Sequence, residues 1–447
     1  MVELSLRPAA RPPSAASCSL RRVSQPTPYP AYQQKGGGRG VRLPYMPGVD
    51  GLRALAVATV FIFHAGAEWM PGGFLGVDFF LVISGYLITA LLVAEQRGTG
   101  RLDLWRFWLR RARRLLPALF LALAGTFIAM LILHWEEVAR IKGAALSATA
   151  YITNWYFIVA DVPYFEQFGR PNAFTHLWSL AVEEQFYLFW PLALAIVLIV
   201  LRMPVWVLGV LAAGGAALST WWAWHLYDPY ELPWRIYYGT DTRAVCLLVG
   251  IVGAVLLPPS RLKTMASWVA RAGMEVVGLA ALAGVLWCMS TLNEFDSPLY
   301  EGGFLLLAIP AIALIIVSAH PQSLMGRFWG LPLLVWIGAR SYGMYLYHWP
   351  VLMLTRANED VPISGAPLMA IQVILVVGIS AASYTYVEQP IRRNGLAGLR
   401  RAFSTLDGTW REHPAQTIAA WTGFIAALAL ISLVVLVPSV PPVPGIG

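Results

Sequence analysis

Apolar runs long enough to cross a bilayer recur along the whole chain, and no other feature constrains the fold as tightly. In hydrocarbon a backbone must satisfy its own N–H and C=O groups, so a spanning segment is either a helix or a strand of a closed barrel. The runs fall near 50–68, 73–94, 115–134, 144–160, 176–201, 204–224, 243–257, 272–290, 302–319, 332–355, 366–386 and 415–437. A helix of about 20 residues covers the hydrocarbon core, and the short alternating segments of a barrel are missing. Charged residues make up 13% of the chain, against about 25% in a soluble domain. The fold class is therefore an all-α polytopic membrane protein.

Positive charge orients it. The run 144–160 is interrupted by Thr153, Asn154 and Trp155. If that run does not span, 24 Lys and Arg fall on the amino-terminal side of the membrane and 5 on the other. Cytoplasmic loops collect Lys and Arg, and this split obeys that rule. The expectation is a bundle of about eleven transmembrane helices, amino terminus cytoplasmic, with 144–160 as a re-entrant or surface segment. Residues 1–44, rich in Pro, Arg, Gly and Ser, read as a disordered cytoplasmic tail. Residues 45–393 form the membrane domain, and 394–447 a cytoplasmic loop, a final span and a short outer tail. The net charge of +8 is accounted for by orientation, so no nucleic-acid partner is expected. Cys18, Cys246 and Cys288 have neither metal-type nor disulfide-framework spacing, and no metal is expected.

Ionisable groups inside spans are costly and mark function by default. In "DGLRALAVATVFIFH", Arg53 and His64 are eleven residues apart, three turns plus about 20°, on one helix face and about 16 Å apart along the axis. "RRARRLLPAL" puts Arg111 and Arg114 on one face at the cytoplasmic side, a geometry that grips phosphate or merely signals topology. "THLWSLAVEEQFYLFWP" aligns His176, Ser179, Glu183 and Tyr187 in one polar stripe, read as a functional face or an interhelical clamp. "SYGMYLYHWP" puts Ser341, Tyr345 and His348 on one face. Asp78 lies near the outer end of its run and reads as a functional acid or a cap; Asp50 reads as a cap, and Glu388 as half of a structural ion pair. The residues alone allow an enzyme, a proton-coupled transporter with a buried relay, or a non-catalytic membrane protein.

Taken together, Arg53 with ten residues then His64, "GVDFFLVISGYLI", "RRARRLLP", "HLWSLAVEEQFY", "SYGMYLYHWP" and "VEQPIRR" resemble the acyltransferase-three family of integral-membrane O-acyltransferases. The resemblance runs from about Tyr45 to Arg393. It implies transfer of an acyl group, acetyl most commonly, from cytoplasmic acyl-CoA to a hydroxyl of a cell-envelope glycan, glycolipid or related metabolite. It implies that Arg53 and His64 are essential to transfer, that Arg111 and Arg114 hold the donor's phosphates with Arg53, and that Glu183 is the first acid of the family's acidic helix motif. On this basis His64 is the expected general base, Glu183 or Asp78 orients it or moves the proton on, and His176, Ser179, Ser341, Tyr345 and His348 line the substrate site. Many relatives carry a fused SGNH hydrolase-like domain. Here only "PSVPPVPGIG" follows the last span, so the expectation is a stand-alone form, with direct transfer or a separate extracytoplasmic transferase partner.

Overall fold

The computed structural model describes residues 43–162 and 170–392. Residues 1–42, with Cys18, and the expected final span at 415–437 lie outside the described residues. The helices are, in chain order, α1 (Pro47–His64), α2 (Gly76–Thr99), α3 (Leu104–Leu133), α4 (Val138–Thr149), α5 (Thr153–Val159), α6 (Trp178–Ala195), α7 (Trp206–Leu226), α8 (Trp234–Tyr238), α9 (Thr240–Leu256), α10 (Trp268–Thr291), α11 (Phe304–Ala319), α12 (Leu324–Trp329), α13 (Pro332–Leu354) and α14 (Gly365–Ser383).

Among the described residues eight helices are long and apolar enough to cross a membrane: α2, α3, α6, α7, α9, α10, α11 and α14, some lengthened by flanking turns. The helices α1 and α13, of 18 and 23 residues, occupy two further expected spans. They carry Arg53, His64, Arg340 and His348 among their apolar residues.

The fourth run does not form one span. It breaks at Tyr151, whose φ of 54° is left-handed, into α4 and α5, of 12 and 7 residues. Gln185 on α6 supplies the missing partners at the break. Its amide donates to the Tyr151 carbonyl at 2.9 Å and to Asn154 Oδ1 at 3.0 Å, and it accepts from Thr240 at 2.6 Å. Asn154 in turn donates to the Tyr238 carbonyl and to Thr240. Irregular backbone at membrane depth is tolerated when protein satisfies it in this way.

Lipid offers no hydrophobic drive for helix association, so close backbone packing carries more of the bundle's cohesion. Helices α2 and α9 meet at Gly85 and Gly250; a Cβ on Gly85 would lie 2.1 Å from the Leu247 carbonyl oxygen, and one on Gly250 2.3 Å from that of Val82. Helices α1 and α13 meet at Gly338, where a Cβ would lie 1.8 Å from the Asp50 oxygen. Asp50 is not a cap: α1 starts at Pro47, and Asp50 falls within its first turn without a capping hydrogen bond. Asp103 caps α3, accepting from the Arg106 N–H at 2.9 Å, so the basic run lies inside the opening turns of that helix.

After α13, Asp360 pins the connection to α14. It takes hydrogen bonds from Arg170 at 3.0 and 2.5 Å and from the Arg356 backbone N–H at 3.0 Å. His134, just after α3, lies 3.6 Å from the same carboxylate.

Candidate active site

Helices α1 and α13 run parallel to each other and antiparallel to α6, so the end of α1, the last turns of α13 and the start of α6 share one end of the bundle. Three histidines meet there. His64 closes α1, and its Nδ1 lies 3.1 Å from His348 Nε2. The His176 ring stands edge-on to His348, with centroids 5.4 Å apart. His176 and His348 are each 1% exposed, whereas His64 is half-buried. Backbone carbonyls orient two of the rings: His348 Nδ1 lies 2.6 Å from the Tyr345 oxygen, and His176 Nε2 3.2 Å from that of Leu346. The Tyr345 hydroxyl donates to the His176 carbonyl at 2.8 Å and lies 2.5 Å from Ser179 Oγ. The expected polar faces of α6 and α13 therefore face each other, and His348 carries the group on to half-buried His64. No three His, Cys, Asp or Glu side chains among the described residues come together as a metal-holding group.

Ser341 departs from this pattern. It is fully buried, and its hydroxyl has no hydrogen-bond partner among the described residues. It lies almost two turns before His348 and forms no bond to the histidine group.

The arginines gather toward the other end. Arg111 stacks over the Tyr187 ring at 4.9 Å and over Phe107 at 5.6 Å. Arg53 lies over Phe80 at 6.0 Å and within electrostatic reach of Arg114, Glu183 and Tyr187. Glu183 accepts hydrogen bonds from Ser84 on α2 and from Tyr187 one turn along α6. The Trp108 indole ties α3 to the same turn, donating to the Tyr187 carbonyl at 3.0 Å. Arg114 lines a hollow with Tyr342, Tyr384, Glu388 and Arg392. Glu388 accepts from Ser383 at 3.4 Å, in the positive field of Arg114, Arg392 and Arg340.

Neither acid expected beside His64 is bonded to it. The Glu183 stripe splits along its length: Ser179 joins the histidines, while Glu183 and Tyr187, one and two turns further on, join the arginines. Asp78 is held elsewhere by Arg243 on α9. One guanidinium nitrogen lies 2.9 Å from both carboxylate oxygens, and both side chains are fully buried. Arg243 also donates to the Tyr237 carbonyl at 2.9 Å and lies 4.0 Å from the centre of the Phe304 ring. A carboxylate in this depth of protein is stable only with such a partner.

Two contacts escaped the sequence. Trp349 packs edge-on against His64 at 4.8 Å and is fixed by its indole donating to the Asn172 carbonyl at 2.9 Å; its adjacency to His348 was the available signal. Arg392 reaches the Arg114 hollow from "VEQPIRR", a motif legible in sequence but without a partner there.

The model of the acyltransferase-three family, described as an acyltransferase domain, matches residues 46–387. Peptidoglycan O-acetyltransferase OatA of Listeria monocytogenes is 36% identical over 387 residues, which cover 86% of this chain and 62% of that protein. "Putative peptidoglycan O-acetyltransferase YrhL" of Bacillus subtilis is 36% identical over 377 residues, covering 82% of this chain and 58% of that one. The chain thus spans about three fifths of the length of these relatives. No solved structure matches it. With the family's motifs arranged in one helical membrane bundle and its model matched across nearly the whole described region, the chain belongs to the acyltransferase-three family of membrane acyltransferases.

Proposed function

We propose that this chain moves an acyl group, acetyl first among candidates, from cytoplasmic acyl-CoA to a hydroxyl of a cell-envelope carbohydrate. The observation that carries the reading is the division of one bundle into an arginine end and a histidine end joined by α1. The names of the relatives, two of them peptidoglycan O-acetyltransferases, support an envelope glycan as acceptor. The excess of Lys and Arg on the amino-terminal side supports a cytoplasmic amino terminus, which puts the arginine end toward the cytoplasm and the histidine end toward the envelope.

In this mechanism Arg111 and Arg114, with Arg53 behind them, bind the donor's phosphates by charge-assisted hydrogen bonds. Glu183, held by Ser84 and Tyr187, balances charge among them. The thioester arm runs along α1 for about 16 Å to His64. His64 takes the proton of the acceptor hydroxyl as its oxygen attacks the thioester carbonyl. The C–S bond then breaks, and the departing thiolate takes that proton from His64. His176, Ser179 and Tyr345 shape the acceptor side. A separate extracytoplasmic transferase remains compatible with this chemistry, as the partner that passes the acyl group on.

The test uses purified full-length protein in nanodiscs with radiolabelled acetyl-CoA and an envelope-glycan extract. His64→Ala is expected to lower CoA release by about a hundredfold or more, the scale of a lost general base, with donor binding retained. Arg111→Ala with Arg114→Ala is expected to weaken donor binding. An equal binding defect in both variants would refute the two-ended site. Absence of release from folded wild type with any acyl-CoA would refute acyl transfer from CoA.

A further inference from the structure

We infer that His348 fixes the proton of His64 on Nδ1, making Nε2 the basic nitrogen of the site, so that a neutral histidine is the positioning residue for the reaction. The inference deepens the acyl-transfer reading and rests on it for its kinetic consequence, but its geometry stands independently.

A carbonyl oxygen can only accept a hydrogen bond. His348 Nδ1, 2.6 Å from the Tyr345 carbonyl oxygen, must therefore carry a proton. A neutral imidazole has one N–H, so His348 Nε2 is an acceptor. His64 Nδ1, 3.1 Å from it, must then be the donor, and the lone pair of His64 lies on Nε2. Burial keeps the assignment from averaging, because His348 is 1% exposed and water cannot readily exchange for Tyr345. Trp349, anchored to Asn172, packs against the His64 ring and limits its rotation.

The same bonds exclude His348 as a proton relay. Passing a proton from His64 through His348 would require His348 to release its Nδ1 proton, and that nitrogen faces a carbonyl oxygen that cannot take it. When His64 accepts the hydroxyl proton on Nε2, its Nδ1–H bond to His348 remains, and the positive charge is shared across that bond until the thiolate removes the proton. Metal-binding histidines are commonly oriented by such a bond to the second nitrogen; here the orienting acceptor is another imidazole.

The experiment labels the histidines of the full chain in nanodiscs with nitrogen-15 and reads which ring nitrogens carry protons, the His64 signals being identified by their loss in His64→Ala. Wild type is expected to show His64 protonated on Nδ1. His348→Leu is expected to give mixed tautomers, and His348→Gln, whose amide oxygen replaces the Nε2 acceptor, to restore the Nδ1–H form. With acetyl-CoA as probe, His348→Leu is expected to slow CoA release about a hundredfold and His348→Gln to recover most of that, since its amide oxygen accepts the same Nδ1–H bond. A bare Nδ1 in wild type overturns the inference. So does a folded His348→Gln no better than His348→Leu, which would mean that His348 itself transfers protons. If wild type releases no CoA, acyl transfer from that donor fails while the nitrogen spectrum still decides the tautomer.

Discussion

Replacing Asp78 with leucine removes one half of a fully buried ion pair and leaves Arg243 charged among Phe304, Tyr237 and Trp178. Breaking such a pair by truncating one partner costs about 3–5 kcal/mol. Arg243 keeps the Tyr237 carbonyl at 2.9 Å and the faces of these rings, which offset part of the loss. It has little else to turn to, because its second terminal nitrogen already has no hydrogen-bond partner among the described residues. The expected cost is therefore about 3 kcal/mol, at the lower edge of that range. Asp78→Leu combined with Arg243→Met should recover most of it, since apolar groups of similar volume often replace a buried pair without loss. Equilibrium unfolding in mixed micelles, followed by tryptophan fluorescence, measures both variants against wild type and the Arg243→Met single variant. A negligible cost for Asp78→Leu would refute the ion-pair account, as would equal losses in the single and double variants. A double variant that folds fully but releases no CoA would return Asp78 to the chemistry.

Gly338→Ala drives a methyl group toward the Asp50 oxygen and pushes α13 from α1; overpacking of this kind costs about 1–3 kcal/mol. CoA release should fall further than the folded fraction, because the 3.1 Å His64–His348 contact crosses the same interface; a proportional fall in both would refute that link. Burial raises the Asp360 carboxyl, but the Arg170 hydrogen bonds, the Arg356 N–H and both guanidinium charges outweigh it and hold the group at about 2, below its ordinary 3.8. Its stabilising contribution is complete above about pH 4, where the unfolded carboxyl is ionised, and is lost as the pH falls toward about 2. Asp360→Asn should thus be less stable than wild type at pH 7, with the gap closing between about pH 4 and about pH 2. A gap that persists at low pH would refute the assignment.

Much of the site was legible because membrane chemistry is severe. An apolar run leaves few reasons for a charge, so Arg53, His64, Arg111, Arg114, Glu183 and His348 stood out. Helical period then grouped Ser179 with His176, and Tyr345 with His348, and the structure joins both groups around His64. What period cannot supply is the partner on another helix. Asp78 read as a functional acid or a cap because Arg243, 165 residues away in sequence, was invisible as its counterion. Glu183 shares a stripe with His176, yet two turns of helix separate it from the histidine end and bring it to Ser84 and Tyr187 instead.

The sequence by itself determined the fold class and the residues to which chemistry could attach, because hydrocarbon penalises every unpaired polar group in the segment that carries it; that 144–160 breaks at Tyr151 was settled by the structure. Only the tertiary structure decided which polar groups meet. Glycine contacts, rather than any local preference, set these approaches: Gly338 against Asp50 brings α13 to α1 and His348 to His64, and Gly85 and Gly250 bring α9 to α2 and Arg243 to Asp78.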